Sequence, residues 1–435
     1  MSETSLTDVM EARLPGDAVR SLRELGGLAD RRGTDAYVVG GVVRDLLLGR
    51  NTFDLDVVVE EPVESFAPEA AAALGGEIKA RSRFGTVLLV LGDGRKLDIA
   101  TSRSEVYAEP GALPDVRFGP IGEDLRRRDF TINAMAVRLN AAVFGTLLDP
   151  HGGRADLAGG VVRVLHRRSF EDDPTRILRA VRFLARFGFA LDDDTRTLLI
   201  ATTRGGFLDR VSGERIRNEI ELILREPAPA PSVALLDDWG ILDAITGGWS
   251  LPGRWDDLLA GVEAILESPA AAGTGVERWA ALLTVMLLAA DPRKRIEVGK
   301  RLVLGRRALR ILSQLERFEE EAAPVLVSDD LPAPSRIRAA LDGFEPEVLL
   351  VAAAAGRGTT LEERIVVYLT RLRHVRPTVT GDDLRALGVA EGRPVGLILR
   401  ALLDARLDGD VESHDDELSL ARRLAQDLDD PGGNC

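Results

Sequence analysis

Cysteine is nearly missing from this chain: of 435 residues only Cys435, the last, carries a thiol, so no disulfide framework is expected. Histidine is scarce too, with four scattered residues, which excludes a Cys/His zinc site. The opening stretch MSETSLTDVMEARLPGD has no basic segment followed by an apolar run, and a secretory signal is not expected. The longest apolar run, Trp279 to Ala290, is too short to span a bilayer and fits a buried helix, so no membrane partner is expected. These absences together favour a cytoplasmic enzyme. Positive charge is in deficit, with 56 Lys and Arg against 70 Asp and Glu and a net charge of −14. That argues against binding nucleic acid through overall charge. No G-x-G-x-x-G stands at Gly40, which lowers a dinucleotide-binding reading.

What is present is long enough for two to four domains, at a prior of about 150 residues each. Hydrophobic residues make up 45% of the chain, enough for full globular folding. The acidity is uneven. Residues 401–435 hold ten acids and three arginines, which reads as a solvated acidic tail. The segment from Val161 to Ala190 has seven arginines against three acids, a local patch that can hold a polyanion.

The stretch from Ala36 to Glu60, AYVVGGVVRDLLLGRNTFDLDVVVE, reads as strand, Gly40-Gly41 turn, short helix, loop and second strand. Strand side chains alternate, so Asp54 and Asp56 share one face while Phe53, Leu55, Val57 and Val59 take the other. Two acids in a valine-rich strand are costly to bury unless a cation or donors satisfy them. Carboxylate oxygens without Cys or His suit Mg²⁺, which completes its shell with waters and substrate phosphates. A Gly-Gly turn lets backbone amides approach an anion closely, and Arg44 adds a fork of donors. The combination points to a nucleoside triphosphate and two metal ions.

Thr86 to Leu91 and Arg95 to Thr101 flank Gly92-Asp93-Gly94, a hairpin signal that implies a mixed or antiparallel sheet. Asp98 lies on the face opposite Leu97 and Ile99, a candidate third carboxylate able to bind metal or accept a proton. Ala108 to Gly122, rich in Pro and Gly, reads as a long functional loop. After it, Arg126, Arg127 and Arg128 meet Asp129 and Asn133. Arginine forks suit phosphates, and acids and amides four apart on a helical face suit ribose hydroxyls.

Asp173 before Pro174 makes an N-cap with proline at the first helical position. The helix that follows has an apolar face of Ile177, Ala180, Val181, Phe183, Leu184 and Phe187, with Arg179, Arg182 and Arg186 on another side. Arg176 sits in the first turn. A carboxylate accepts from an exocyclic amine while a guanidinium donates to a ring acceptor. Asp173 with Arg176 therefore suits cytosine or adenine and repels uracil and guanine.

In combination, GGVVRDLLLG with DLDVVV, RRDFTINAMA, LLDPHGGRADL, DDPTRILRAVRF and SGERIRNE resemble the class II tRNA nucleotidyltransferases and their bacterial poly(A) polymerase relatives, within the polymerase β-like superfamily. The resemblance is strong from Ala36 to Arg225. It implies an α+β chain: a mixed or antiparallel-sheet nucleotidyltransferase head over 1–150, then an all-α neck with a base-selecting motif over 151–226, and a helical, tRNA-binding body and tail over 227–435. Asp54 and Asp56 would hold two Mg²⁺ ions, with Asp98 as a third catalytic carboxylate. Gly40, Gly41 and Arg44 would lie near the triphosphate, and Arg128, Asp129 and Asn133 would hold ribose and phosphate. Asp149 and Gly153 match a motif linked to movement between the head and the next domain. Asp172, Asp173, Arg176 and Arg179 match the base-selecting motif, which usually begins with Glu. Here Asp172 aligns with that Glu and Glu171 is displaced by one, a difference that bears on how Arg176 is oriented.

The implied partners are tRNA, through its acceptor arm and 3′ end, and ATP or CTP; no DNA is expected. The full-length loop and its Glu-Pro-Gly-Ala-Leu-Pro string favour addition of CCA or terminal A over CC. The alternatives are a poly(A) polymerase, a CC-adding enzyme, and, from a different class, a non-catalytic RNA-binding protein with a degenerate head.

Overall fold

The computed structural model describes residues 4–51, 55–82, 85–251, 253–288, 290–328 and 332–429. The chain forms two compact units, Met1–Gly248 and Trp249–Cys435.

The first unit opens with α1 (Thr7–Arg13) and α2 (Gly16–Arg32), followed by β1 (Ala36–Val39), α3 (Gly41–Leu47), β2 (Leu55–Val59) and α4 (Val63–Leu74). Three strands come next, β3 (Gly76–Ser82), β4 (Thr86–Leu91) and β5 (Lys96–Thr101). The chain then forms β6 (Arg103–Val106), β7 (Asp115–Phe118), α5 (Ile121–Arg126), β8 (Ala136–Arg138) and β9 (Leu147–Leu148). The seven-stranded sheet has the order β3-β4-β5-β2-β1-β8-β9. Only β2 and β5 run parallel in it; the other neighbours are antiparallel, so the mixed sheet expected from the hairpin signal is present.

Alternation along β2 decides what each sheet face does. Leu55, Val57 and Val59 are buried on one side. Val58, on the other, packs with Tyr37, Val39, Leu125 and Ala136 under α5. Asp56 shares that second face nearer the start of the strand and is exposed. The face is thus sealed by α5 at one end and open at the end that carries the acid.

The segment from Ala108 to Gly122 is not one loop. Asp115–Phe118 is a strand, β7, paired antiparallel with β6, and α5 begins at Ile121. Of the Pro and Gly residues that suggested a loop, Pro110, Gly111 and Pro114 lie in the hairpin's connection, and Gly119 and Pro120 lie between β7 and α5.

The rest of the unit is mostly helical: α6 (Gly153–Gly159), the short strand β10 (Val161–Val162), α7 (Ser169–Asp172), α8 (Thr175–Phe187), β11 (Ala190–Leu191), α9 (Asp193–Arg204), α10 (Gly213–Leu224), α11 (Ala230–Asp238) and α12 (Ile241–Thr246). The apolar face of α8 is buried from Ile177 to Leu184. Its Phe183 meets Phe130 edge-on at 5.8 Å, which ties the sheet domain to the helices.

The second unit is helical among its described residues, from the helix Trp255–Leu266 to the helix His414–Asp429. The helix Pro346–Ala355 is almost wholly buried, as the apolar run from Val348 to Ala355 requires, and Glu347 is buried with it. No helix among the described residues is long and apolar enough to cross a membrane.

Candidate active site

A cavity of 550 Å³ in the first unit gathers Gly40, Gly41, Arg44, Asp56, Arg128, Asp129, Asn133, Asp173, Arg176 and Arg179 in its lining. These came from four separate sequence segments. Asp54 lies outside the described residues.

The carboxylate end is built by strand register. Asp56 and Asp98 are direct neighbours across the parallel pair β2–β5, so they point to the same face on strands about 4.8 Å apart. Asp98 is half-buried, and Asp56 is exposed. Two hard oxygen ligands side by side fit a divalent cation.

The turn beside them explains its glycines. Gly40 has φ +73, and a Cβ there would lie 2.7 Å from Nη1 of Arg128. Only glycine lets the guanidinium sit over this backbone. Arg128 is held by Asp124, whose Oδ2 accepts from its Nη2 at 2.8 Å and its Nε at 3.3 Å. Oδ1 of Asp124 accepts from Nη2 and Nε of Arg127 at 2.6 and 3.0 Å. Burial acts to raise the pKa of Asp124, but the two arginines outweigh it and hold the acid below the usual carboxylate range. With its other donors on Asp124, Arg128 turns Nη1 toward the Gly40 turn.

Asp129 and Asn133 do meet, though not on a helix: Thr131–Asn133 is a single 3₁₀ turn. Oδ1 of Asp129 accepts from Asn133 Nδ2 at 2.9 Å and from the Phe130 amide at 2.8 Å. Oδ2 accepts from Nη2 and Nε of Arg179 at 2.6 and 3.0 Å. Burial pushes this carboxyl up, yet Arg179 and the Asn133 bond hold it at about 2. Arg44 lines the cavity, but its Nη1 donates to Asn133 Oδ1 at 2.6 Å and its Nε to Asp45 at 2.9 Å. Its plane lies over Phe187 at 4.9 Å. Those contacts aim Asn133 as much as they offer a phosphate donor.

The turn is also pinned from behind. The amide of Gly153 donates to Asp149 Oδ1 at 2.6 Å, and a Cβ on Gly153 would lie 2.1 Å from the Thr131 carbonyl. The two residues set the start of α6 against the turn.

At the far wall Asp173 and Arg176 sit together, each oriented by a different partner. Asp173 Oδ1 accepts from the Thr175 amide at 3.0 Å, the Thr175 hydroxyl at 2.6 Å and Arg215 Nη2 at 2.7 Å. The helix itself starts at Thr175 with Pro174 in the capping position. Arg176 is buried; its Nη1 donates to Ser169 Oγ at 2.6 Å and its Nη2 to the Arg127 carbonyl at 2.6 Å. Asp172 is not in this cavity. It lines a neighbouring cleft with Arg168 at 3.3 Å and His166 at 4.0 Å, so the orienting of Arg176 falls to Ser169 and a backbone carbonyl. The short Asp side chain and its place at the end of α7 turn it outward.

Of the lining residues with no assigned role in the sequence reading, two stand on the tenth helix. Arg215 joins Asp173 to the hairpin connection through the Gly111 carbonyl at 3.0 Å. Glu219 accepts from Arg179 Nη1 at 3.2 Å. Both stand on α10, four apart, and so on one helical face; that spacing within SGERIRNE was the available signal.

The chain matches the family model described as the poly A polymerase head domain over residues 36–163 and that for the probable RNA and SrmB-binding site of polymerase A over 188–247. It is 37% identical over 424 residues to a protein of Geobacter sulfurreducens named A-adding tRNA nucleotidyltransferase, covering 96% of this chain and 48% of that one. The chain therefore spans about half that relative's length. A Halalkalibacterium halodurans protein of the same name is 33% identical, with 97% of this chain and 96% of that one covered. Among solved structures, the Thermotoga maritima CCA-adding enzyme complexed with tRNA superposes with a TM-score of 0.79 at 32% identity, covering 98% of this chain and all of that one. By fold, by site geometry and by likeness over nearly its whole length, the chain belongs to the family of tRNA nucleotidyltransferases and poly(A) polymerases.

Proposed function

We propose that this protein is a template-independent tRNA 3′-end nucleotidyltransferase that adds the terminal A, or the full CCA, from ATP and CTP with release of pyrophosphate. One observation carries this reading. A single cavity unites Asp56, whose strand neighbour is Asp98, a glycine turn under an arginine, and a carboxylate–guanidinium pair of the pattern that distinguishes C and A from U and G. The two relatives named as A-adding enzymes support terminal A addition in particular.

In this reading residues 1–150 act as catalytic head, 151–226 as neck, and 227–435 as body and tail that hold the tRNA acceptor arm. The RNA 3′-oxygen bonds to the α-phosphorus of the nucleotide as the α–β phosphoanhydride bond breaks, and the hydroxyl proton passes to Asp98 or to water. Asp54 and Asp56 would hold two Mg²⁺ ions, which supply Lewis acidity to the hydroxyl and charge compensation to pyrophosphate. Arg128 and the Gly40-Gly41 amides receive the triphosphate, and Asp129 and Asn133 face the ribose. Asp173 accepts from the exocyclic amine and Arg176 donates to the ring acceptor beside it, while Arg179 braces Asp129. With no disulfide framework and a tRNA substrate, we place the protein in the cytoplasm.

The test is to supply purified protein and Mg²⁺ with tRNA ending in the discriminator base, C or CC, and with CTP or ATP separately. Growth only of the CC-ended tRNA by ATP identifies an A-adding enzyme, and stepwise growth to CCA the complete one. A homopolymer tail or the absence of any transfer overturns the reading.

A further inference from the structure

A second cleft, of 380 Å³, lies behind the wall made by Arg127 and Arg176, which with Glu105 and Tyr107 line both spaces. Its remaining wall comes from the end of α5 and the segment leading into α7. Five arginines (126, 127, 167, 168 and 176) face three acids (Glu105, Glu123 and Asp172) in its lining, two more cations than anions on a chain whose net charge is −14. Most of the five are engaged by the protein. Arg127 is held by Asp124 and Glu105, Arg176 by Ser169, and Arg168 by Asp172.

Arg126 and Arg167 differ. Both are exposed, and among the described residues neither has an ion pair or side-chain hydrogen bond. His166 lies beside them, held below the ordinary imidazole range by burial and then by Arg176, so at neutral pH it offers a neutral N–H. Tyr107 stands at the boundary with its hydroxyl donating to Glu105 at 2.9 Å, a ring at the mouth of both spaces. Basic grooves with an aromatic at the rim track single-stranded backbones. The two spaces share Glu105, Tyr107, Arg127 and Arg176, so a strand whose 3′ end meets the nucleotide in the first cavity can pass its upstream phosphates along this cleft.

We propose that this cleft is a phosphate subsite, formed by Arg126, Arg167 and His166, that holds the RNA backbone just upstream of the reacting 3′ end. The proposal rests on the functional reading above, and free pyrophosphate has the same anionic chemistry. The experiment therefore has an arm for each source. The double variant Arg126→Ala/Arg167→Ala removes two exposed side chains and leaves the fold intact. With CC-ended tRNA, its KM for tRNA is expected to rise about tenfold, with kcat at saturation and KM for ATP within twofold of wild type. The log–log salt dependence of tRNA binding, followed by fluorescence anisotropy, is expected to flatten by about 1.4, at roughly 0.7 per phosphate contact on a single strand. Lysine at both positions restores the slope. Weakened inhibition by pyrophosphate with tRNA binding unchanged assigns the cleft to the leaving group and overturns the RNA subsite, and no change in either overturns both. If the wild type transfers no nucleotide, the functional reading fails, while the anisotropy arm still decides the subsite.

Discussion

Both units of this protein bury arginines, and the two sets are used differently. In the second unit Arg295 donates to the carbonyls of Leu287 and Leu288, Arg338 to those of Leu372 and Val375, and Arg364 to those of Leu326 and Ser328. Each donates at the carbonyl end of a helix or turn, and Arg295 and Arg338 also reach the more exposed Glu319 and Asp342. In the first unit the buried Arg44 and the half-buried Arg127, Arg128 and Arg179, all four lining one cavity, share carboxylates and one carboxamide, Asp45, Asp124, Asp129, Glu219 and Asn133. Burial of charge is therefore not in itself a mark of function. The mark is an acid shared by two neighbouring groups so that a donor or oxygen is left facing solvent.

The sharpest way to break this comparison is Asp56→Asn. The residue is exposed, so stability is expected to stay within about 0.5 kcal/mol, while the rate of nucleotide addition falls about a thousandfold, roughly 4 kcal/mol in the barrier. Single-turnover assays with thermal unfolding of the same preparation check both halves. An active Asp56→Asn enzyme removes the carboxylate pair from the mechanism.

Arg338→Met is the converse. It removes one donor from the Leu372 and Val375 carbonyls, which keep the Val375 amide and Arg376 Nη1, with an expected cost of about 1 kcal/mol in urea unfolding, while activity per folded molecule at low temperature is unchanged. A loss of kcat without loss of stability would put this arginine with the first set.

Acid sensitivity separates the two sets more finely. Asp129 is held at about 2 in the fold, below its unfolded value of about 3.9. Its contribution is therefore present above pH 4 and lost as pH falls through 2, about 3 kcal/mol in all. Unfolding free energies measured from pH 5 to 2 are expected to fall less steeply in Asp129→Asn than in the parent, and equal slopes would contradict the ion-pair account.

The same contrast explains what could be read from the chain alone. The alternation of Asp56 with Leu55 and Val57, and the Gly92-Asp93-Gly94 turn, are local signals, and the sheet around them followed. The pairing of Asp129 with Asn133 was legible from spacing, but the 3₁₀ turn that brings them together is set by Gly153 pressing on Thr131, a contact between distant segments. β7 was missed because its alternation, D-V-R-F, is only four residues long between Pro/Gly-containing stretches, and it becomes a strand by pairing with β6. Asp124 in the EDLRRRD string looks like any solvated acid. Its burial under two arginines depends on how α5 closes one face of the sheet. Asp172 aligned with the motif, yet its carboxylate follows the end of α7 into the second cleft.

The smallest effect concerns Arg215, which links the β6–β7 connection to Asp173, the carboxylate proposed to read the base. Its two bonds diverge, one to Gly111 and one to Asp173, and a lysine ammonium on a flexible stem cannot reproduce that fork. Thr175 still donates twice to Asp173, so the carboxylate stays in place on average and loses only its lateral restraint. Arg215→Lys is thus expected to change the ratio of kcat/KM for ATP over CTP on CC-ended tRNA about fivefold, near 1 kcal/mol, with kcat for the preferred nucleotide almost unaffected. If the ratio holds and only the melting temperature falls, Arg215 joins the structural arginines of the second unit, and the link between hairpin and base choice is lost.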